Sequence, residues 1–151
     1  MRQLSRRDAL ALGVSGAALT FIGLDEQARA AAKEAADLIA QFTGGKAAEK
    51  GKVSIELPEI AENGNTVPMT VAVESPMTEQ SYVTDVLIVA DGNPRGGVAT
   101  FHFSPASGAA EANVRIRLAE TQNIIAVAKM NDGSFFMVSK PVKVTIGGCG
   151  G

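Results

Sequence analysis

The residue in this chain best equipped for chemistry stands three positions from its end. The C-terminus reads "VTIGGCGG", and Cys149 within it is the only cysteine in the protein. A thiolate is a strong nucleophile and a soft ligand, but its reactivity depends on nearby cations, helix termini or bases. Here the neighbours are Gly147 and Gly148 on one side and Gly150 and Gly151 on the other. None of them can activate a thiol, and all of them leave the backbone free to take almost any angle. Cys149 is the third residue after Ile146, the last residue with strand-like alternation, so the sulfur could stand about 10 Å beyond the final strand. These features describe a thin carrier arm, residues 147–151, that offers a nucleophile to active sites in other proteins. The plainer alternative is a frayed terminus with an incidental cysteine. Four flanking glycines and the absence of any other cysteine favour the arm.

Other reactive side chains are few. His102 is the single histidine and sits between Phe101 and Phe103, on the opposite strand face from both rings. It could act as a general base or metal ligand, but no second histidine exists to complete a metal pair, so a surface histidine is the simpler reading. Met69, Met77, Met130 and Met137 could join Cys149 in a soft copper(I) site. They lie on different strands and loops without motif spacing, so core packing explains them better. Asp85, Asp91 and Asp132 fall at strand ends or turns, where Asp commonly bonds its own backbone. No nucleophile elbow, phosphate loop, dinucleotide fingerprint or zinc-protease motif occurs. The sequence points to no catalytic residue of its own, no metal site and no cofactor. It reads as a substrate-bearing protein rather than an enzyme.

The N-terminus says where such a thiol would work. "MRQLSRRDALALGVSGAALTFIGLDEQARA" carries the pair Arg6-Arg7, an uncharged run of 16 residues from Ala9 to Leu24, and small residues suited to cleavage. This is the layout of an export signal, and the run falls short of the roughly 20 apolar residues of a membrane span. The paired arginines suggest the twin-arginine route. Ala28-Arg29-Ala30 places cleavage after Ala30, giving a periplasmic protein with no membrane segment once the signal is removed. An uncleaved anchor is the alternative.

Four of the 14 Lys and Arg and three of the 16 Asp and Glu lie in residues 1–30, which leaves a net charge of −3 on the remainder. No basic run survives, which argues against nucleic acid or anionic lipid as partners. One cysteine cannot form an internal disulfide, so the remaining 121 residues must hold together by packing.

The elements that would carry the arm follow from periodicity. "AAKEAADLIAQFTGG" spaces Ala35, Leu38, Ile39 and Phe42 by three and four, which predicts a short helix stopped by Gly44-Gly45. The polar stretch "KAAEKGK" follows at 46–52, and the helix and linker are taken as residues 31–50. From Val53 the period becomes two. Seven strands are predicted: "VSIEL", "VPMTVAV", "VTDVLIVAD", "GVATFHF", "EANVRIRLA", "NIIAVAKM" and "SFFMVSKPVKVTI". Turn signals separate them, with "NDG" after Met130 marking a tight hairpin. The expectation is all-β: an immunoglobulin-like antiparallel β-sandwich over residues 51–146, with a short N-terminal helix and a flexible C-terminal Gly-Cys arm.

The leader, the segment "LPEIAENGNTVPMTVAVESPMT" after the helix, the stretch "DGNPRGGVATFHFSPASG" and the terminal "GGCGG" together resemble the SoxY family. That family is the sulfur-carrier subunit of the periplasmic thiosulfate-oxidising Sox system. The resemblance covers essentially the whole chain. It implies that Cys149 is the point of covalent sulfur attachment and that Gly147, Gly148, Gly150 and Gly151 form the carrier arm. It further implies a heterodimer with a SoxZ-like β-sandwich subunit. A haem-containing loading enzyme would join thiosulfate oxidatively to the cysteine, and a dimanganese hydrolase would release sulfate. A molybdenum–haem sulfane dehydrogenase would oxidise the remaining sulfur. Export in the folded state would let a partner lacking its own signal travel with this chain.

Two other classes remain open on the residues alone. One is a periplasmic interaction module whose tail cysteine makes an intermolecular disulfide. The other is a copper(I)-handling protein using the methionines.

Overall fold

The computed structural model describes residues 26–148. The leader with Arg6 and Arg7, and the terminal residues Cys149, Gly150 and Gly151, lie outside the described residues.

A helix, α1, spans residues 26–43. Its run of alanines is the best helix-forming composition, and Lys33 and Asp37 add an exposed i,i+4 pair at 2.7 Å. Gly44 and Gly45 end it with φ of 63° and 79°, left-handed values that glycine takes without a Cβ penalty. Ala31 and Ala35 are buried, and Leu38, Ile39 and Phe42 pack partly buried beside Leu87, Val89 and Ile125. Phe42 meets Phe135 edge-on, with centroids 5.9 Å apart. The helix begins before the position expected from periodicity, because residues 26–30 continue its turn while remaining exposed. Ala31 is its first buried residue.

Nine strands follow: β1 (Glu49–Lys50), β2 (Val53–Glu56), β3 (Ile60–Asn63), β4 (Val67–Val73), β5 (Val83–Ala90), β6 (Gly97–His102), β7 (Ala110–Ile116), β8 (Gln122–Met130) and β9 (Phe135–Ile146). They form two sheets. The larger runs β1-β9-β8-β5-β6 with β3 also paired to β9, and the smaller runs β2-β4-β7. The core lies between them, built from alternate residues such as Val67, Met69 and Val71 of β4 facing Val86, Ile88 and Ala90 of β5.

The continuous apolar run of β5 has a direct cause. Val86, Ile88 and Ala90 face the smaller sheet, while Leu87 and Val89 face α1. A strand covered on both faces loses its alternation. Burying each such side chain is worth about 1.5–3 kcal/mol, and this replaces the disulfides that a domain with one cysteine cannot make.

The seven predicted strands are all present, and the predicted hairpin holds Met130 N on the carbonyl of Ser134 at 2.9 Å. Two strands were not expected. β1 lies inside the predicted polar linker, and β3 inside the stretch before the second predicted strand. Both pair parallel to β9. Neither segment alternates in hydrophobicity, and each is held by a partner more than 80 residues away in sequence, so local pattern carries no trace of them. The expected sandwich is present with all its main pairings antiparallel, and β1 and β3 add two short parallel pairs at β9.

Candidate functional site at the C-terminal exit

The route to the thiol starts at the end of β9. After Ile146 the chain passes between two loops: the β3–β4 turn around Gly64, and the segment 117–121 joining β7 to β8. Three backbone hydrogen bonds tie these together. Gly64 N donates to Ile146 O at 2.7 Å, Leu118 N donates to Gly64 O at 2.8 Å, and Gly148 N donates to Leu118 O at 2.8 Å. Gly64 and Gly148 are buried.

The packing is too close for side chains. A Cβ on Gly147 would overlap the carbonyl oxygen of Ala119, and one on Gly64 would overlap that of Leu118. A Cβ on Gly148 would lie 2.7 Å from the carbonyl oxygen of Gly64. Of the expected arm, Gly148 is buried and bonded to Leu118 O, and glycine at 147 and 148 permits the close backbone approach. Only Cys149, Gly150 and Gly151 of the expected arm lie beyond that anchor.

Segment 117–121 is itself fixed from below by two buried carboxamides. Asn93, in the loop after β5, is 2% exposed, and Gln122 at the start of β8 is 6% exposed. Asn93 Nδ2 donates to Arg117 O at 2.9 Å, and its Oδ1 accepts from Ala119 N at 2.9 Å and from Gln122 Nε2 at 2.8 Å. Gln122 Nε2 also donates to Glu120 O at 3.0 Å, and Gln122 Oε1 accepts from Gly92 N at 2.9 Å. Leu118 anchors the segment with a side chain of zero exposure. Thr121 grips β9 from the same side: its hydroxyl accepts from Val144 N at 3.0 Å. Sequence reasoning missed Gly64, Asn93, Leu118 and Gln122 as contributors to the exit at Gly148. A polar Asn and Gln flanking strands could have raised the question, but their convergence depends on the fold.

The other candidates lie elsewhere. His102 is exposed and pairs through Nδ1 with Oδ1 of Asp85 at 2.5 Å, its cross-strand neighbour on β5. Five residues of strand separate Asp85 from Ala90, about 16 Å, and Asn93 lies farther on. His102 is thus at the opposite end of the sandwich from the exit and does not reach it. Met69, Met77 and Met130 are buried in the main core, which accounts for them as packing. Asp91 accepts from Asn123 N at 2.8 Å and Asn123 Nδ2 at 2.7 Å. Asp132 accepts from Ser134 N and Oγ, and these bonds hold its carboxyl below the ordinary value. Among the described residues no three His, Cys, Asp or Glu side chains converge to hold a metal ion, and no helix is long and apolar enough to cross a membrane.

The family model for the sulfur oxidation protein SoxY matches residues 39–149. Among solved structures, the sulfur carrier protein SoxY from Chlorobium limicola f thiosulfatophilum is 31% identical, with a TM-score of 0.65, over 79% of this chain and 98% of that one. Superoxide reductases share the fold alone. The neelaredoxin from Ignicoccus hospitalis is 19% identical with a TM-score of 0.56, over 69% of this chain and 91% of that one. The superoxide reductase from Nanoarchaeum equitans is 14% identical with a TM-score of 0.54, over 64% of this chain and 100% of that one. No curated protein matches the chain.

Proposed function

The chain belongs to the SoxY family of sulfur oxidation proteins, and from that premise we propose that it carries sulfur covalently on Cys149 in the periplasm. The observation that carries this reading is the anchored exit at Gly148, one residue before the only thiol, at the point where the family match ends.

The chemistry balances without any activating group in this chain. Thiosulfate and the Cys149 thiol join through a new S–S bond, releasing one proton and two electrons, which the loading enzyme would pass to its electron acceptor. Water then cleaves the terminal sulfonate as sulfate and leaves a persulfide. A sulfane dehydrogenase removes six electrons from the outer sulfur while water supplies three oxygens. A second hydrolysis releases sulfate and restores the thiol. Every enzyme belongs to a partner, and the role of this chain is to hold and present the sulfur.

Two structural features support the remaining expectations. Residues 26–30 are exposed and Ala31 is the first buried residue of α1, so signal cleavage after Ala30 leaves the packed face of the helix whole. Ile60 and Ile146 are exposed at 57% and 65%, on the strands that lead to the exit, as suits a domain that works in a heterodimer with a SoxZ-like subunit.

Intact-mass measurement tests the reading. Mature protein incubated with thiosulfate, the haem loading enzyme and an electron acceptor should gain one thiosulfate group, and Cys149→Ser should gain none. Loading of the Ser variant at another residue would refute it. A disulfide-linked dimer in place of an adduct would favour the interaction-module alternative.

A further inference from the structure

We infer that Asn93, Gln122 and Gly64 are positioning residues that fix where the thiol-bearing tail leaves the domain, so that the chain is held as far as Gly148 and not only to Ile146. The inference rests on the carrier reading for its purpose but on the fold for its mechanism.

Burying a carboxamide is unfavourable unless its polar atoms find partners, and Asn93 and Gln122 are both buried beside a core that is otherwise apolar. Their bonds show what they support. Residues 117–119 have no strand beside them on the Asn93 side. Asn93 takes the place of one, bonding the carbonyl of Arg117 and the amide of Ala119. In an extended segment the groups of the intervening residue point the other way. Those are the amide and carbonyl of Leu118, which bond Gly64 O and Gly148 N. Asn93 thus holds one side of a three-residue bridge whose other side holds the tail. Gln122 fixes Asn93 by donating to Oδ1, and it secures the bridge's far end at Glu120. Gly64 closes the circuit by accepting from Leu118 and donating to Ile146.

The consequence for function is geometric. The domain holds the backbone as far as Gly148, the residue before Cys149 in sequence, so the thiol is tethered from a fixed place in the fold. A tether free from Ile146 onward would let it range over about 10 Å. A visiting enzyme must therefore approach this end of the sandwich, framed by the loops carrying Gly64, Asn93 and Leu118.

Because Cys149 is the only cysteine, a nitroxide label placed there in the full mature protein reports on the anchor without any sulfur chemistry. Asn93→Ala and Gly64→Ala should increase the fast-motion fraction of the spectrum severalfold, and Asn93→Asp, which keeps the acceptor but loses the donor, should fall between. Val127→Ala, a buried core change outside this network, should lower thermal stability without altering the spectrum. Wild-type spectra for Asn93→Ala would overturn the inference, leaving these residues a purely structural role. Should the substitutions prevent folding, amide exchange in the wild-type protein decides: the Gly148 amide should exchange on the order of 100-fold more slowly than an unprotected one, and unprotected exchange would overturn the inference. With the loading enzyme, Asn93→Ala should raise KM several-fold with kcat largely kept. A label response as described with no thiosulfate adduct on the wild type would leave the anchor standing and sink the carrier reading.

Discussion

Leu118 and Gly148 are joined by a backbone hydrogen bond of 2.8 Å, while the Leu118 side chain is fully buried in the core between the sheets. One residue thus couples the packing of the sandwich to the base of the tail. Loss of core packing at this position should be felt at the exit, although the two lie on opposite sides of the same backbone.

Leu118→Ala tests that coupling. Removing a fully buried leucine costs about 2–5 kcal/mol, depending on how far the cavity closes. Denaturant unfolding should show the loss, and amide exchange at Gly148 should accelerate more than at Ala128 in the middle of β8. Equal acceleration at both amides would mean that only global stability had fallen.

Truncation tests the role of α1. A chain beginning at Ala31 loses only exposed helical residues among those described, so its stability should match the longer chain within about 0.5 kcal/mol. A chain beginning at Gly45 uncovers Leu87, Val89 and Ile125 together. It should unfold at much lower denaturant or self-associate, as sedimentation would show.

His102 and Asp85 provide a negative test. Their pair is exposed on the histidine side, and pairs of that kind contribute roughly 0–1 kcal/mol. His102→Ala should leave both sulfur loading and thermal unfolding almost unchanged. A large loss of loading would place the histidine at an enzyme contact that the distance along β5 argues against.

How much could be read beforehand depended on whether a feature was local. The β4 alternation from Val67 to Val73, the doubly covered run in β5 and the "NDG" hairpin are each written in consecutive residues, and each was legible. The thiol and its glycines were legible as a motif. The close approach of Gly147 to Ala119 O was not. A glycine in open space and a glycine wedged against a carbonyl look identical in sequence, because the partner arrives from a distant loop. Asn93 was hidden for the same reason: within "DGNPRGG" it reads as a turn residue, and only the fold brings it under residues 117–119. β1 and β3 escaped because their pairing with β9 is parallel and remote.

The closest test of the exit is Gly148→Ala. Its new Cβ would meet the carbonyl oxygen of Gly64 at 2.7 Å and the amide nitrogen of Asn65 at 3.0 Å, and both obstacles are backbone rather than side chains that could turn aside. Overpacking of this kind costs about 1–3 kcal/mol. The strain has two outlets. The loop at Gly64 can move, which strains its bonds to Leu118 and Ile146, or the tail can lift away, which breaks the bond from Gly148 N to Leu118 O. Among the described residues Gly148 is held by one backbone bond and Gly64 by two, so the tail should lift. Ordering a residue costs roughly 1–2 kcal/mol, and a lifted tail would present two more residues to be ordered when an enzyme binds. Docking should therefore weaken by about 2–4 kcal/mol on that scale, with the thiol still reactive toward a small alkylating reagent. Calorimetric unfolding together with KM for the loading enzyme checks both parts. A variant that unfolds earlier yet docks as tightly as wild type would mean that the loop, and not the tail, had given way.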